Sequence, residues 1–273
     1  MKKQVKKLLL GVLLLLPILI IAGCGKGSSA DQTVKIGIMS TDKPIWEPIV
    51  KQVAKEGVTL KLITFTDYNQ PNAALTNHEL DLNSFQHTYF MDQWNKAHHT
   101  DIVSIGATYL APSRLYSDKI KGIDDIKKND EIVIPNDATN EGRALNLLQS
   151  AKLITLKKGV ALPTPKNIKT NRLNLKITPL DAAQTPRSLK DVAAAVVPND
   201  MAANANLPLS KVIFTEKINR SSKPYVNVIA ANAKDKNKAA YKKVVKAYQS
   251  EANKKNIQKY YHGNAIPAWD HKF

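Results

Sequence analysis

The stretch VKIGIMSTDKPIWEPIVKQVAKEGVTLKLITF, residues 34–65, decides the fold class. Its first part, residues 34–39, alternates apolar residues with polar or small ones and predicts a β-strand. Residues 44–56 predict a helix, because one face of that helix would carry Ile45, Ile49, Val50 and Val53. Residues 58–65 alternate again and predict a second strand. The order strand, helix, strand is typical of a parallel sheet, so the sequence predicts an α/β protein.

The alternation of strands and helices continues along the chain. Further helices are predicted at residues 70–77, 85–97, 139–152 and 235–261, with a short alanine-rich helix from residue 199. Further strands are predicted at residues 79–83, 102–110, 131–135, 175–180, 192–197, 212–214 and 225–230. Residues 115–117 are interpreted as a crossing segment, and the last strand as a return to the first unit. This order fits two lobes with a ligand cleft between them, although a single doubly wound sheet would give a similar order.

The N-terminus has the three parts of an export signal. It begins with a basic segment that contains Lys2, Lys3, Lys6 and Lys7. An apolar run at residues 8–21 follows, shorter than the ~20 residues of a membrane-spanning helix. The run ends in Ile21-Ala22-Gly23-Cys24, which resembles the bacterial lipobox, in which the cysteine is acylated, for example with palmitate. We therefore predict a signal peptide at residues 1–23 and a lipid anchor on Cys24, at the extracytoplasmic face of the cell membrane.

Composition limits the remaining possibilities. Cys24 is the only cysteine, so the chain has no internal disulfide. Residues 24–33 are rich in glycine, serine and charge, and predict a flexible tether. The net charge is +17, or +13 without the four signal lysines, and the bases are 35 lysines and five arginines. Proteins that bind nucleic acids rely on arginine and stacked aromatic residues, so we predict no nucleic-acid partner. We interpret the lysines as groups that solvate the surface and are attracted to anionic lipid or cell-wall polymer.

One segment predicts an anion site. Pro135-Asn136-Asp137-Ala138-Thr139-Asn140-Glu141-Gly142-Arg143 follows a predicted strand and opens a predicted helix. A helix N-terminus offers free amide donors, and its dipole favours a negative charge. Arg143 adds a guanidinium that can hold a carboxylate with two hydrogen bonds. The segment is interpreted either as a seat for an amino-acid carboxylate or as an ordinary capped helix with a surface arginine.

Two further segments carry candidate binding residues. Phe85, Tyr89 and Phe90 would form apolar walls suited to an apolar or thioether side chain, and His87 between them can donate or accept a hydrogen bond. The alternative is a helix that buries Phe85 and Tyr89 in its own core. Asn227, near the predicted return strand, has donors and an acceptor that could hold an ammonium and a carboxylate.

Taken together, these segments resemble the NlpA/MetQ family of methionine-binding lipoproteins over essentially the whole mature chain. The resemblance rests on the order and spacing of several short strings rather than on any one of them. These strings are the lipobox at Cys24, Val34-Lys35-Ile36-Gly37, Phe65-Thr66-Asp67-Tyr68, Pro71-Asn72, Phe85-Gln86-His87, Pro135-Asn136-Asp137 with Asn140 and Gly142-Arg143, Pro186-Arg187-Ser188-Leu189, and Ser222-Lys223-Pro224-Tyr225-Val226-Asn227.

The resemblance implies a two-lobe fold of the type II periplasmic-binding-protein kind, with a ligand cleft between the lobes. We place the first lobe at residues 34–113 and 227–273 and the second lobe at residues 114–226. The resemblance also implies an ABC importer, in which the lipoprotein docks on a permease with a cytoplasmic ATPase. The ligand-binding residues that the resemblance implies are Tyr68, Phe85, His87, Phe90, Asn140, Arg143, Asn199 and Asn227. Two of them, Phe90 and Asn199, stand at positions that depart from the family pattern.

By this resemblance, Arg143 holds the ligand carboxylate and Asn227 contacts the amino-acid head of the ligand. The chain departs from the family at three places: Phe90 stands where a tyrosine is frequent, Pro198 precedes Asn199 where an asparagine is usual, and Ala138 replaces a proline. An unpaired polar group on a ligand would cost ~1–3 kcal/mol. L-methionine is therefore the leading ligand, and a methionine-containing dipeptide or another amino acid stays open.

Two other classes of function are less well supported by the sequence. A metal-binding lipoprotein would need three or four convergent ligands, whereas the neighbours His98 and His99 would point apart on a helix. An enzyme would need a catalytic motif, and no Gly-x-Ser-x-Gly, His-Glu-x-x-His or glycine-rich phosphate loop is present. We therefore predict a binding protein with no catalytic residue, no metal and no cofactor.

Overall fold

A computed structural model describes residues 32–273 of the chain as two five-stranded sheets with helices packed on them. Its strands are β1 (Gln32–Met39), β2 (Val58–Phe65), β3 (Leu82–Ser84), β4 (Ile102–Ala107), β5 (Tyr109–Leu110), β6 (Arg114–Tyr116), β7 (Glu131–Pro135), β8 (Thr155–Leu156), β9 (Ile168–Thr170), β10 (Lys176–Leu180), β11 (Ala194–Val197), β12 (Val212–Thr215), β13 (Val228–Asn232) and β14 (Ile266–Pro267). Its α-helices are α1 (Lys43–Ala54), α2 (Pro71–Thr76), α3 (Thr88–His98), α4 (Ala138–Ser150), α5 (Thr185–Ser188), α6 (Asn199–Asn204), α7 (Ala239–Tyr248) and α8 (Glu251–Tyr260). The predicted signal peptide, Cys24 and nearly all of the predicted tether lie outside the described residues.

The first sheet has the order β2-β1-β3-β13-β4, with β1 parallel to β2 and β3. Helix α1 begins with Pro44 in its first turn, where a missing N–H is tolerated. It buries Ile45, Trp46 and Ile49 against this sheet and against α7 and α8. The apolar spacing in the sequence therefore predicted the buried face of α1, while Val50 from the same pattern is only partly buried.

The second sheet has the order β10-β7-β11-β6-β12. Strands β10 and β11 run parallel to β7, and β6 runs antiparallel to β11 and β12. Residues 115–117, which the sequence suggested as a crossing segment, therefore lie largely in a strand, because Leu115 is fully buried in the core of this sheet. Two separate sheets confirm the two-lobe α/β fold, and the alternative of one continuous sheet is wrong.

Two crossings connect the sheets, one between β5 and β6 and one between β12 and β13. Strand β13 pairs antiparallel with β3 and β4, so the late strand does return to the first sheet. It begins at Val228 rather than at Tyr225, because residues 220–225 form a 3₁₀ turn. The end of the second crossing is paired with the start of β5: the Asn227 N–H donates to the Tyr109 carbonyl at 2.9 Å, and the Thr108 N–H donates to the Asn227 carbonyl at 2.8 Å. The residue bounds of the two lobes stay a prediction.

The C-terminal lysine-rich region forms two helices, α7 and α8, where the sequence predicted one. The break falls at Gln249 and Ser250, and the Ser250 hydroxyl caps the second helix by accepting a bond from the Asn253 N–H at 3.2 Å. Within residues 32–273, no helix has both the length and the apolar character required to cross a membrane.

Candidate ligand-binding site

A cavity lies where the carboxyl ends of the parallel strands of both sheets meet, next to the two crossings. In α/β folds this end of the strands is the usual place for a ligand. The cavity is lined by Tyr68, Phe85, Gln86, His87, Phe90, Tyr109, Ala111, Pro112, Ser113, Pro135, Asn140, Arg143, Val196, Pro198, Asn199, Asp200, Tyr225 and Asn227. All eight residues that the sequence suggested as ligand contacts are in this set, and their roles stay predictions.

One wall of the cavity is aromatic. Tyr68 follows β2, Phe85 follows β3, and Phe90 lies in the first turn of α3. Their ring centroids are 5.8–6.2 Å apart, and two of the three pairs are edge-to-face. Tyr89 lies outside this wall and packs on Tyr225. These rings belong to an apolar cluster with residues of both lobes, so this wall reaches across the cleft.

The loop that carries Phe85 and His87 is held in place by buried amides. The side chains of Asn72, Asn83 and Gln86 bond to one another at 2.7–3.1 Å. A fully bonded amide network of this kind fixes the loop, because an unpaired buried amide would be costly. This network explains the strings Pro71-Asn72 and Phe85-Gln86-His87, whose function the sequence did not reveal.

His87 offers an unpaired donor to the cavity. It caps α3, and its Nδ1 accepts a hydrogen bond from the Phe90 N–H at 3.0 Å. The neutral ring therefore carries its hydrogen on Nε2, which is buried and has no hydrogen-bond partner among residues 32–273. Burial and the positive charge of Arg143 lower the pKa of His87 to about 3. His87 is thus a neutral donor at any physiological pH, available to an acceptor on a ligand.

Helix α4 begins at the cavity, as the sequence predicted. Asp137 caps it by accepting a hydrogen bond from the Asn140 N–H at 3.0 Å, and it also accepts from the Asn140 side-chain amide and the Thr139 hydroxyl. The donor group of the Asn140 side chain is therefore used within the cap, and Asn140 also lines the cavity. Burial raises the pKa of Asp137, and these hydrogen bonds oppose the rise.

Arg143 lies one turn further along α4, with its side chain only 11% exposed. Its Nε and Nη2 donate to the two carboxylate oxygens of Glu216 at 3.1 and 2.5 Å, and Nη2 also donates to the Ala111 carbonyl at 2.9 Å. The Tyr225 ring stacks on the guanidinium, with Cζ 4.4 Å from its centroid. Nη1 takes no part in these bonds, so this edge of the guanidinium is the one that a ligand carboxylate would meet.

Glu216 and Tyr225 are residues that the sequence analysis missed. Glu216 follows β12 and accepts from Arg143 and from the Ser113 N–H at 2.8 Å, so it joins the second lobe to the first crossing. Its only signal in the sequence was a single charge after a short strand. Tyr225 was noted only as the start of a predicted strand and as part of the string that ends in Asn227.

A second buried cluster lies beside the cavity and was also missed; we call it the carboxyl–tyrosine cluster. Its members are Asp42, Tyr68, Tyr109, Asp200 and Tyr261. The Tyr109 hydroxyl is 3.3 Å from Asp42 Oδ2 and 3.1 Å from Asp200 Oδ1. The Tyr68 hydroxyl donates to Asp200 Oδ2 at 3.1 Å, and the Tyr261 hydroxyl donates to Asp42 Oδ1 at 2.6 Å.

Burial raises the pKa of both carboxyls of this cluster. For Asp42 the pKa reaches about 8, because burial and the nearby charge of Asp200 both disfavour ionisation. For Asp200 burial also raises the pKa, while hydrogen bonds from Tyr109 and Tyr68 oppose the rise. Asp42 lies behind the tyrosines, whereas Asp200 lines the cavity itself.

The other two of the three predicted asparagines, Asn199 and Asn227, line the cavity from different segments of the chain. Asn227 is fixed by its backbone bonds to Thr108 and Tyr109. Asn199 opens α6, and its amide lies 3.5 Å from Asp200 Oδ1. Between β11 and Asn199, Pro198 also lines the cavity, where it offers no N–H.

The histidines of the described region do not converge. His98 stacks on Trp94, with the ring centroids 3.6 Å apart, and His99 ends α3 in the left-handed conformation. In residues 32–273 no group of three or more His, Cys, Asp or Glu side chains is placed to hold a metal ion.

Comparison with known sequences agrees with this architecture. The NlpA lipoprotein family matches residues 34–269. A protein named D-methionine-binding lipoprotein MetQ, from Salmonella typhi, is 39% identical over 92% of this chain and 94% of its own length. Lipoprotein 28 from Escherichia coli K12 is 38% identical over 98% of this chain and 100% of its own length.

Solved structures agree with the fold as well. The substrate-binding protein of a methionine transporter from Streptococcus pneumoniae superposes with a TM-score of 0.83 at 45% identity, covering 87% of this chain and 96% of that one. A nutrient-binding protein from Burkholderia cenocepacia, bound to methionine, gives a TM-score of 0.82 at 42% identity and covers 86% and 99% of the two chains. These matches confirm the resemblance that the sequence strings indicated.

Proposed function

Since the chain belongs to the NlpA lipoprotein family, we propose that it is the solute-binding lipoprotein of an ABC importer and that its ligand is methionine or a closely related amino acid. The Salmonella, Streptococcus and Burkholderia relatives are named for methionine binding, for methionine transport, and for nutrient binding with methionine bound. All three are binding proteins by name. The proposal therefore assigns to the cavity a binding role without a catalytic step.

The observation that carries the proposal is the division of the cavity into a polar end and an aromatic end. At the polar end, Arg143 and the unpaired Nε2 of His87 offer hydrogen-bond donors to an anionic group. At the other end, the rings of Tyr68, Phe85 and Phe90 suit an apolar side chain, and a thioether gains from contact with aromatic rings. An α-amino acid with a flexible apolar side chain has this same division.

The proposal extends to the export signal and to the partners. Residues 1–23 are removed, Cys24 is acylated, and the folded part is held at the outer face of the membrane by residues 25–31. From there it delivers its ligand to a permease that is driven by an ATPase. Replacing Cys24 by Ser should move the protein from the membrane fraction to the soluble fraction, while its ligand affinity stays unchanged.

The deciding experiment identifies the ligand directly. The protein is purified and denatured, and the released small molecules are identified by mass spectrometry. The refolded protein is then titrated by calorimetry with L-methionine, D-methionine and the dipeptide Gly-Met. We expect L-methionine to be released and to bind most tightly. If Gly-Met binds more tightly than L-methionine, the ligand is a dipeptide and not a free amino acid. If none of the three compounds binds, the proposal is refuted.

A further inference from the structure

The charges at the cavity are arranged as a pair of opposite sign. Among the described residues that line it, Arg143 is the only permanently charged base and Asp200 the only carboxylic acid. Arg143 comes from α4 and Asp200 from α6, which begin after neighbouring strands of the second sheet, β7 and β11. A free α-amino acid is itself a pair of opposite charges, and each of its charges needs a partner when it leaves water.

The hydrogen bonds of the carboxyl–tyrosine cluster indicate which of its two acids carries the charge. The Tyr109 hydroxyl has one hydrogen but lies within hydrogen-bond distance of both Asp42 and Asp200. It can donate to only one of them, so its contact with the other acid is a hydrogen bond only when that acid holds a proton and donates to the tyrosine oxygen. Asp200 receives a second hydroxyl, from Tyr68, and faces the cavity.

The arrangement that satisfies these bonds leaves Asp42 neutral and Asp200 ionised. Asp42 then donates to the Tyr109 oxygen, and Tyr109 donates to Asp200. The electrostatics agree with this order, because the charge of Asp200 helps to raise the pKa of Asp42. Two hydroxyl donors leave acceptor capacity on the Asp200 carboxylate, which can accept about four hydrogen bonds.

We propose that the Asp200 carboxylate binds the ammonium group of the ligand and so makes the cavity specific for a free, charged α-amino group. This inference rests on the proposed function, since it names a second contact of the same ligand. Arg143 and Asp200 then hold the two ends of the amino-acid head, and the aromatic wall holds the side chain. A solute with an acylated or missing amino group would leave the Asp200 charge buried without a counter-charge.

The test compares two ligands on two proteins. L-methionine and 4-(methylthio)butanoate, which lacks only the amino group, are titrated against the unchanged protein and against Asp200→Asn. We expect the substitution to weaken L-methionine binding roughly 10- to 100-fold, the range for a hydrogen bond between charged groups. The affinity for 4-(methylthio)butanoate should change less than about threefold or increase, because this compound has no ammonium group to contact Asp200.

A matched control is Asp181→Asn. Asp181 accepts a bond from the Asn69 side chain, 3.1 Å away, and does not line the cavity. This control should change the affinities of the two ligands by the same factor. If Asp200→Asn also changes both by one factor, Asp200 acts only through the fold and the inference is wrong. If neither protein binds L-methionine or any related solute, the proposed function itself fails.

A measurement on the unchanged protein covers the case in which Asp200→Asn does not fold. Burial raises the pKa of Asp200, so lowering the pH until Asp200 takes up a proton should weaken the binding of L-methionine relative to that of 4-(methylthio)butanoate. The groups that face Asp200 are Asp42, Tyr68, Tyr109, Tyr261, Asn199 and, across the cavity, Arg143 and the neutral His87. Equal pH dependence for the two ligands would overturn the inference.

Discussion

The surroundings of Arg143 and of Asp200 differ, although both residues line one cavity. Arg143 is joined to Glu216, a group of opposite charge, with the carbonyl of Ala111 and the ring of Tyr225 completing its contacts. Asp200 is joined through Tyr109 to Asp42, a second carboxylic acid. The first region therefore has a fixed charge, and the second has a charge that depends on a proton.

This difference shows how one binding site can combine a rigid ion pair with an acid whose charge is sensitive to proton binding. The Arg143 guanidinium is held on Glu216 by two hydrogen bonds, which fix the geometry of the pair. Two buried acids that share one proton titrate as a pair, and their charge responds to whatever enters the cavity. Substitutions in the two regions should accordingly have different signatures.

The largest effect is expected at Arg143. Replacing it by Ala removes the only fixed positive charge among the described cavity-lining residues, and leaves Glu216 without its partner. Affinity for L-methionine should fall at least about 100-fold, and Arg143→Lys should recover only part of it because an ammonium lacks the planar fork. Calorimetric titration measures both. The exposed Arg172→Ala serves as control, and unchanged titration heats for Arg143→Ala would refute the carboxylate role.

The next effect concerns the stability of the ion pair. Glu216→Gln leaves a guanidinium that is mostly buried without its counter-charge, since the two side chains are 11% and 17% exposed. The free energy of unfolding should fall by about 2–3 kcal/mol, measured by urea denaturation. The matched control is Glu47→Gln, whose exposed pair with Lys43 should contribute less than about 0.5 kcal/mol. Equal losses in the two variants would show that Glu216 does not hold Arg143.

A third effect separates the two regions by pH. The pKa of Asp42 in the folded protein is about 8, above its ordinary value of 3.8, so the folded state binds a proton that the unfolded chain has lost. This contribution to stability is present at low pH and is lost as the pH rises toward 8, with a slope of at most about 1.4 kcal/mol per pH unit. Asp42→Asn should remove that slope in denaturation experiments between pH 5 and pH 8. Parallel curves for the two proteins would contradict the shared-proton description.

The smallest effect is expected at the aromatic wall. Phe90→Leu removes an edge-to-face partner of Phe85 and Tyr68 but keeps an apolar surface. The preference for L-methionine over L-norleucine, which lacks the sulfur, should shrink by about two- to fivefold, the size of a sulfur–aromatic contact. Competition binding with both ligands measures this ratio. An unchanged ratio would place the ligand side chain away from Phe90.

Much of the fold could be predicted because local patterns determine it. Strands β2 and β7 were predicted to the residue, and the buried face of α1 followed from the spacing of its apolar residues. Strand β6 was not recognised, because a strand of three residues is too short to show alternation. The break between α7 and α8 was missed because the lysine-rich pattern continues through it, and only the cap at Ser250 marks it.

The candidate site divides in the same way. The start of α4, the aromatic residues near α3 and the polar side chain of Asn227 were suggested from local strings, and the resemblance implied that they bind one ligand. Glu216 and the carboxyl–tyrosine cluster could not be predicted, because their partners are distant in sequence: Glu216 is 73 residues from Arg143, and Tyr109 is 67 residues from Asp42 and 91 from Asp200. Such pairs exist only once distant parts of the chain have come together in the fold.

The backbone pairing between the end of the second crossing and the start of β5 has a mechanical consequence. Because Asn227 is bonded to Thr108 and Tyr109, any rotation of one lobe against the other must be taken up in residues 111–113 and 216–225. The same two segments supply Ala111, Glu216 and Tyr225, the contacts of the guanidinium. A solute bound near the axis of this rotation would move very little itself. The outer edges of the lobes, far from the axis, would move the farthest. A membrane partner that touches only those outer edges would therefore detect bound solute as a change in the angle between the lobes, without contacting the solute.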